Sequence, residues 1–238
     1  MNRFNARSVL WAGIAAVLAG NSALADGPAS VMPQEKDRGR HEQFLKDKAA
    51  LLKKGPIQVV FIGDSITDGW RGGGHATWQT AFGDKYNALN LGIGGDQTQH
   101  VLWRIAHGEL DGISPKVVVM MIGTNNCGSP AVDMVAGVVA DVAAVHAKLP
   151  HAKILLLGIF PRATNPRDGA RVKINQVNEV LSKLDGKDNV KYLDIGAKFL
   201  EADSTLPASI MPDALHPNEK GYAIWADEIG PTLQDLAK

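Results

Sequence analysis

Between residues 57 and 195 the chain repeats one rhythm: short, almost uninterrupted apolar runs alternate with longer stretches whose apolar positions recur every three or four residues. The runs fall at 57–62, 88–91, 116–122, 154–159 and 190–195, and the helical stretches lie near 41–53, 97–109, 131–148, 167–184 and 217–236. Runs that are apolar at nearly every position predict strands covered on both faces. Strands alternating with helices predict an α/β fold, a parallel sheet with helices on both sides. In such sheets ligands sit beyond the carboxyl ends of the strands, where strand order reverses. The loops that follow each strand are therefore where chemistry is expected.

The N-terminus departs from this rhythm. Arg3 and Arg7 precede an apolar stretch from Val9 to Gly20 and then Ala23-Leu24-Ala25, the layout of a secretory signal peptide cleaved after Ala25. About a dozen apolar residues fall short of the roughly 20 that span a bilayer, so the mature protein is expected to be secreted or periplasmic with no integral membrane span. The 25 residues removed carry two arginines and no acid, leaving 213 residues with 23 basic against 25 acidic side chains. That length suits one domain. That charge offers no footprint for nucleic acid or anionic lipid and favours a small neutral or polar substrate. Residues 26–40 are polar and turn-rich and read as a linker or wrapped arm, with the globular domain at 41–238. The single cysteine, Cys127, has no disulfide partner in the chain and no base beside it, and reads as a small buried hydrophobe.

The first strand ends in Gly63-Asp64-Ser65-Ile66-Thr67-Asp68-Gly69, the second in Gly92-Ile93-Gly94-Gly95-Asp96 and the third in Gly123-Thr124-Asn125-Asn126. With strand order 2-1-3-4-5 these loops are neighbours, and Ser65 becomes a candidate nucleophile. Acyl transfer needs hydrogen-bond donors aimed at the developing oxyanion. Gly95 can present a bare backbone N–H, Asn125 a side-chain amide, and Ser65 its own N–H. Near the other end, Pro212-Asp213-Ala214-Leu215-His216-Pro217 supplies a base and a carboxylate. Pro217 disfavours helical geometry at His216 and suits the first position of the next helix. Asp213 on the same turn can orient the imidazole.

Two other readings fail on the residues. A nucleotide-binding glycine loop at Gly92–Gly95 lacks its third glycine, Gln97 standing there, and Asp96 would repel a pyrophosphate. The nucleophile elbow of α/β-hydrolases needs Gly-x-Ser-x-Gly, and the second glycine is replaced by Thr67.

The four blocks Gly63-Asp64-Ser65, Gly92 within Leu91–Asp96, Gly123-Thr124-Asn125 and Asp213-Ala214-Leu215-His216 together resemble the SGNH, or GDSL-type, hydrolases, with Ile66 where the name has leucine. Within that family the segment 89–104 is most like the catalytic subunits of intracellular platelet-activating factor acetylhydrolase and their bacterial relatives. The resemblance implies a three-layer α/β/α, flavodoxin-like fold and catalysis without cofactor or metal. It also implies Ser65 as nucleophile, His216 as base oriented by Asp213, and an oxyanion hole from Ser65, Gly95 and Asn125. The resembled subunits pair, so a homodimer is an expectation of the same resemblance. The signal peptide and the insert at 71–75 depart from it and leave the substrate open.

The expected activity is hydrolysis of short, mainly acetyl, esters of carbohydrates or small lipids, with thioesters and lysophospholipids behind them. A non-catalytic carbohydrate-binding protein on the same fold would be expected to have lost one of the four blocks, and none is lost. Asp64 is expected to tie the catalytic loops together and Asp68 to face solvent or start a helix. Trp70, Phe160, Arg162 and Leu215 are candidates to line the substrate pocket, while Trp78 and Trp103 fit core positions. His75 and His100 lack a second ligand at metal-binding spacing and are expected to be structural or surface residues.

Overall fold

The computed structural model describes residues 27–238; the signal peptide read from residues 1–25 lies outside them. Five strands, β1 (Val59–Gly63), β2 (Leu89–Gly92), β3 (Val117–Met121), β4 (Lys153–Leu157) and β5 (Val190–Leu193), pair entirely in parallel in the order 2-1-3-4-5. β1 and β3 are buried at every position, as the unbroken apolar runs predict. β5 is the most open to solvent, from Lys191 on, whereas β2 at the opposite edge is buried throughout.

Alternate strand residues feed two separate cores. Val60, Ile62, Val118, Met120, Ile154 and Leu156 pack against α1 (Arg38–Lys54), α2 (Thr98–Ala106), α3 (Ala131–Lys148) and α4 (Gly169–Leu181). Val59, Phe61, Val119, Met121, Leu155 and Leu157 face α5 (Glu219–Leu236) and the helical turns of residues 65–86. The result is the three-layer α/β/α sandwich. The first helix starts three residues before the predicted position, capped by Asp37, whose carboxylate accepts from Arg40 N. Ahead of it, Ser30 is buried and bonds α3 through Asp133 O and α2 through the Thr98 hydroxyl. Pro217 lies one residue before the α5 cap rather than at its first position, because the Asn218 side chain accepts from Gly221 N and takes the cap itself.

Residues 65–86 form a chain of three- to five-residue helical turns, including a π-turn at Gln79–Gly83. The breaks between turns leave no long helical period, and in the sequence only Trp78 falls within a helical pattern. They are held by an aromatic cluster in which Trp70 is fully buried, with ring centres 4.5 Å from Tyr222 and 4.9 Å from Trp225. Trp70 is therefore not a pocket wall. Phe160 is likewise interior, packed on Phe199 and Trp225. Both lie where strand-end loops fold back under the sheet, and a large apolar ring there gains more from burial than from lining a wet pocket. Gly74 of the insert touches Trp70 and Tyr222 so closely that a Cβ would overlap both. The insert is a packed joint of this cluster.

Replacing Trp70 by alanine is expected to cost about 3–5 kcal/mol of stability, measured as a fall in the denaturant midpoint.

Candidate active site

Ser65 opens the first helical turn after β1. Its neighbour Asp64 caps that turn by accepting from Ile66 N at 3.0 Å, which leaves the Ser65 hydroxyl at the carboxyl edge of the sheet, half exposed. The turn is pinned from below: buried Tyr222 donates its hydroxyl to Ile66 O at 2.7 Å, and Asn90 donates to Thr67 O at 2.9 Å. The end of β2 presses directly on it. A Cβ on Gly92 would sit 2.2 Å from Asp68 N, so only glycine admits this approach.

Across the cleft the Ser65 hydroxyl meets His216 Nε2 at 2.8 Å, and His216 Nδ1 meets Asp213 Oδ2 at 2.6 Å. An ionised carboxylate only accepts, so Nδ1 carries the proton and Nε2 is free to receive one from Ser65. Asp213 Oδ1 also accepts the backbone N–H groups of Leu215 and His216. Partial burial would raise the Asp213 carboxyl, but these bonds from the His216 ring and the two amides outweigh it and hold the carboxyl below its ordinary value. Ala214, inside this tight turn, adopts φ 57. Leu215 is half-buried and packs against the aromatic core.

The loops after β2 and β3 are stitched into one unit. Asn125 Nδ2 donates to Asp96 O at 2.9 Å, Gln97 Nε2 to Asn125 O at 2.7 Å, and Thr98 N to Asn126 Oδ1 at 3.1 Å. One Asn125 amide hydrogen is thereby engaged, leaving the second for a ligand. Gly95 is exposed at φ +73, a conformation costly for any residue with a Cβ. Beneath it, buried Asp96 accepts from Arg104 Nε at 3.0 Å and pairs with Lys36 at 3.3 Å; Lys36 also bonds Gly94 O. Burial raises the Asp96 carboxyl against the lowering effect of Arg104 and Lys36.

Sequence reasoning missed Asn90, Gln97 and Lys36. A lone asparagine in the apolar run Leu89-Asn90-Leu91 was the available signal for the first, because a buried amide persists only where it is bonded.

The remaining candidates separate clearly. Arg162 is half-buried and donates from Nη1 to Thr124 O at 3.0 Å, bracing the Asn125 loop from outside. Asp68 accepts from Arg40 and Arg71 rather than facing water alone. His100 receives the Gln97 N–H on Nδ1, and burial, with Lys36 and Arg104 nearby, lowers its pKa to about 4. Cys127 is only partly buried against the first core, and desolvation raises its thiol. Among the described residues no group of three potential metal ligands comes together and no helix is long and apolar enough to cross a membrane.

A strand-1 serine facing a histidine and aspartate before the last helix, flanked by glycine and asparagine loops on a 2-1-3-4-5 sheet, defines the SGNH type of hydrolase. The model of the GDSL-like Lipase/Acylhydrolase family matches residues 61–224, and the chain belongs to that family, among the carboxylic ester hydrolases. It is 39% identical over 183 residues to platelet-activating factor acetylhydrolase IB subunit alpha1 of Homo sapiens, covering 76% of each chain. A GDSL-like lipase from Bacteroides thetaiotaomicron superposes with TM-score 0.67 at 21% identity, covering 82% of this chain and 97% of its own. An acetylxylan esterase from Geobacillus stearothermophilus superposes with TM-score 0.58 at 22% identity, covering 75% and 93%.

Asp64 is fully buried and its Oδ2 has no hydrogen-bond partner; desolvation raises its pKa from 3.8 to about 7. The folded protein thus keeps a proton that the unfolded chain releases near pH 4, so the stability contributed by this group declines as pH rises from about 4 to about 7. Asp64→Asn retains an oxygen for Ile66 N–H and has no proton to lose. It is expected to flatten that decline, as thermal denaturation of both proteins across this range will show.

Proposed function

We propose that this protein hydrolyses short acyl esters, acetyl esters foremost, through a covalent acyl-Ser65 intermediate, and that it acts outside the cytoplasm after removal of residues 1–25. The observation that carries the mechanism is the unbroken chain from the Ser65 hydroxyl through His216 to Asp213. His216 Nε2 takes the Ser65 proton as Oγ attacks the ester carbonyl, and Asp213 stabilises the imidazolium that results. The oxyanion is held by the Ser65 and Gly95 N–H groups and the second Asn125 amide hydrogen. Collapse of the tetrahedral intermediate breaks the C–O bond to the alcohol, which leaves with the proton from His216. A water molecule, deprotonated by His216, then releases the acid and restores the serine.

Three features support a small acyl group on a small or carbohydrate alcohol. The human relative is named an acetylhydrolase, a fold neighbour is named for acetylxylan, and the chain's charge is balanced, 25 basic against 25 acidic side chains, which does not favour a polyanionic partner. The exported location rests on the sequence Arg3–Ala25.

With p-nitrophenyl acetate, Ser65→Ala is expected to lose on the order of 10⁴- to 10⁶-fold in kcat; turnover equal to the parent would remove Ser65 as nucleophile. Asn125→Ala is expected to lose about 100- to 1000-fold, mainly in kcat. A panel of acetylated sugars set against short-acyl lipids tests the alcohol, and preference for long acyl chains would contradict the proposal.

A further inference from the structure

Six non-glycine residues among those described have positive φ, and three of them, Asn87, Asp188 and Asn189, are of the types that tolerate it. The other three, Ala163 (φ 65), Ser204 (φ 66) and Ala214 (φ 57), meet at one place. Ala163 N donates to Ala214 O at 2.8 Å, inside the turn that carries Asp213 and His216. The carbonyls of Ala163 and Ser204 both accept from Arg171, Ala163 from Nη2 and Ser204 from Nη1 at 3.2 Å. Arg171 Nε completes the fork on Arg162 O at 2.8 Å. The Arg162 side chain in turn holds Thr124 O, next to Asn125.

The dipeptide Arg162-Ala163 therefore touches both halves of the site, the base turn through Ala214 and the oxyanion loop through Thr124. A cavity of about 360 Å³ opens next to it at Pro161, lined also by Pro166, Arg171 and Ser204 among others, with neither Ser65 nor His216 in its wall. Left-handed backbone at alanine and serine is strained and persists only where surroundings enforce it. Ser204 is also closed by its own turn, Ser204 N to Glu201 O and Glu201 N to Thr205 O; what ties it to Ala163 is Arg171, itself 2% exposed, whose three acceptors are all backbone carbonyls. A planar guanidinium reaches three acceptors spread around its edge through three separate nitrogens, Nε, Nη1 and Nη2, whereas an ammonium has to gather its acceptors around a single nitrogen. Its position is otherwise unfavourable: Arg171 stands in the first turn of α4, where the helix dipole disfavours a cation.

We propose that Arg171 is a positioning residue for ester hydrolysis, clamping Arg162-Ala163 so that His216 and Asn125 are held in register around Ser65. The proposal rests on the reading of Ser65 and His216 as nucleophile and base. Arg171→Lys keeps the cation and most of the packing but loses the fork. With p-nitrophenyl acetate its kcat should fall by about 10- to 100-fold with KM little changed, and the downfield proton resonance of the His216–Asp213 hydrogen bond should shift or broaden. Arg162→Ala, at a half-exposed position, cuts the link to the 124–127 loop at Thr124 and Cys127 and leaves the Arg171 fork in place; it should lower kcat less and leave that resonance in place.

A folded Arg171→Lys protein with parental kcat and an unmoved resonance would overturn the proposal. If Arg171→Lys does not fold, parental kcat in Arg162→Ala overturns it. Loss of activity in Ser65→Ala with none in these variants would refute the clamp alone, whereas full activity in Ser65→Ala would refute the underlying reading.

Discussion

The 2.8 Å contact between Ser65 Oγ and His216 Nε2 joins residues 151 positions apart, and much of the polar bonding at the carboxyl edge of the sheet keeps its two ends in place. On the serine side the strand end, the Asp64 cap, Tyr222 and Asn90 fix a four-residue turn that has too few internal bonds to hold itself. On the histidine side, a turn strained at Ala214 is fixed by Asp213 from within and by Ala163 from outside. A hydrogen bond between two exposed loops contributes only about 1 kcal/mol. Its constancy has to come from the frame around it.

That frame follows from burial of the sheet on both faces. Because strand residues alternate between two apolar cores, backbone that must present polar groups is driven to the strand ends, and the order 2-1-3-4-5 gathers three of those ends side by side. Carboxylates caught beneath them are handled in different ways. Asp96 is paired with Arg104 and Lys36. Asp64 keeps one unpartnered oxygen and is pushed toward its neutral form. The stitching bonds of Gln97, Thr98 and Asn125 turn two loops into one rigid rim, which is the preorganisation that oxyanion stabilisation requires.

Much of this was legible in the sequence, because uniform apolar runs of about five residues leave little choice but buried parallel strands, and the four polar blocks fall at their ends. Strand boundaries shifted by only one or two residues, with β4 and β5 each ending two residues early, at Leu157 and Leu193. The aromatic cluster was not legible. Trp70 and Phe160 follow strand-end motifs in sequence, yet three-dimensional packing with Phe61, Tyr222 and Trp225 decides their place, and no short-range period encodes it. Arg171 was also hidden, since its acceptors are carbonyls, which every residue has; only its unfavourable place at a helix start marked it.

The central claim is that Ser65 is activated by His216 as a nucleophile toward acyl carbons. The most direct measurement is covalent trapping: reaction of the folded protein with a fluorophosphonate, proteolysis, and mass-spectrometric location of the adduct. A single adduct is expected on the peptide that contains Ser65. An adduct on another residue, or none from folded protein that still hydrolyses esters, would contradict it.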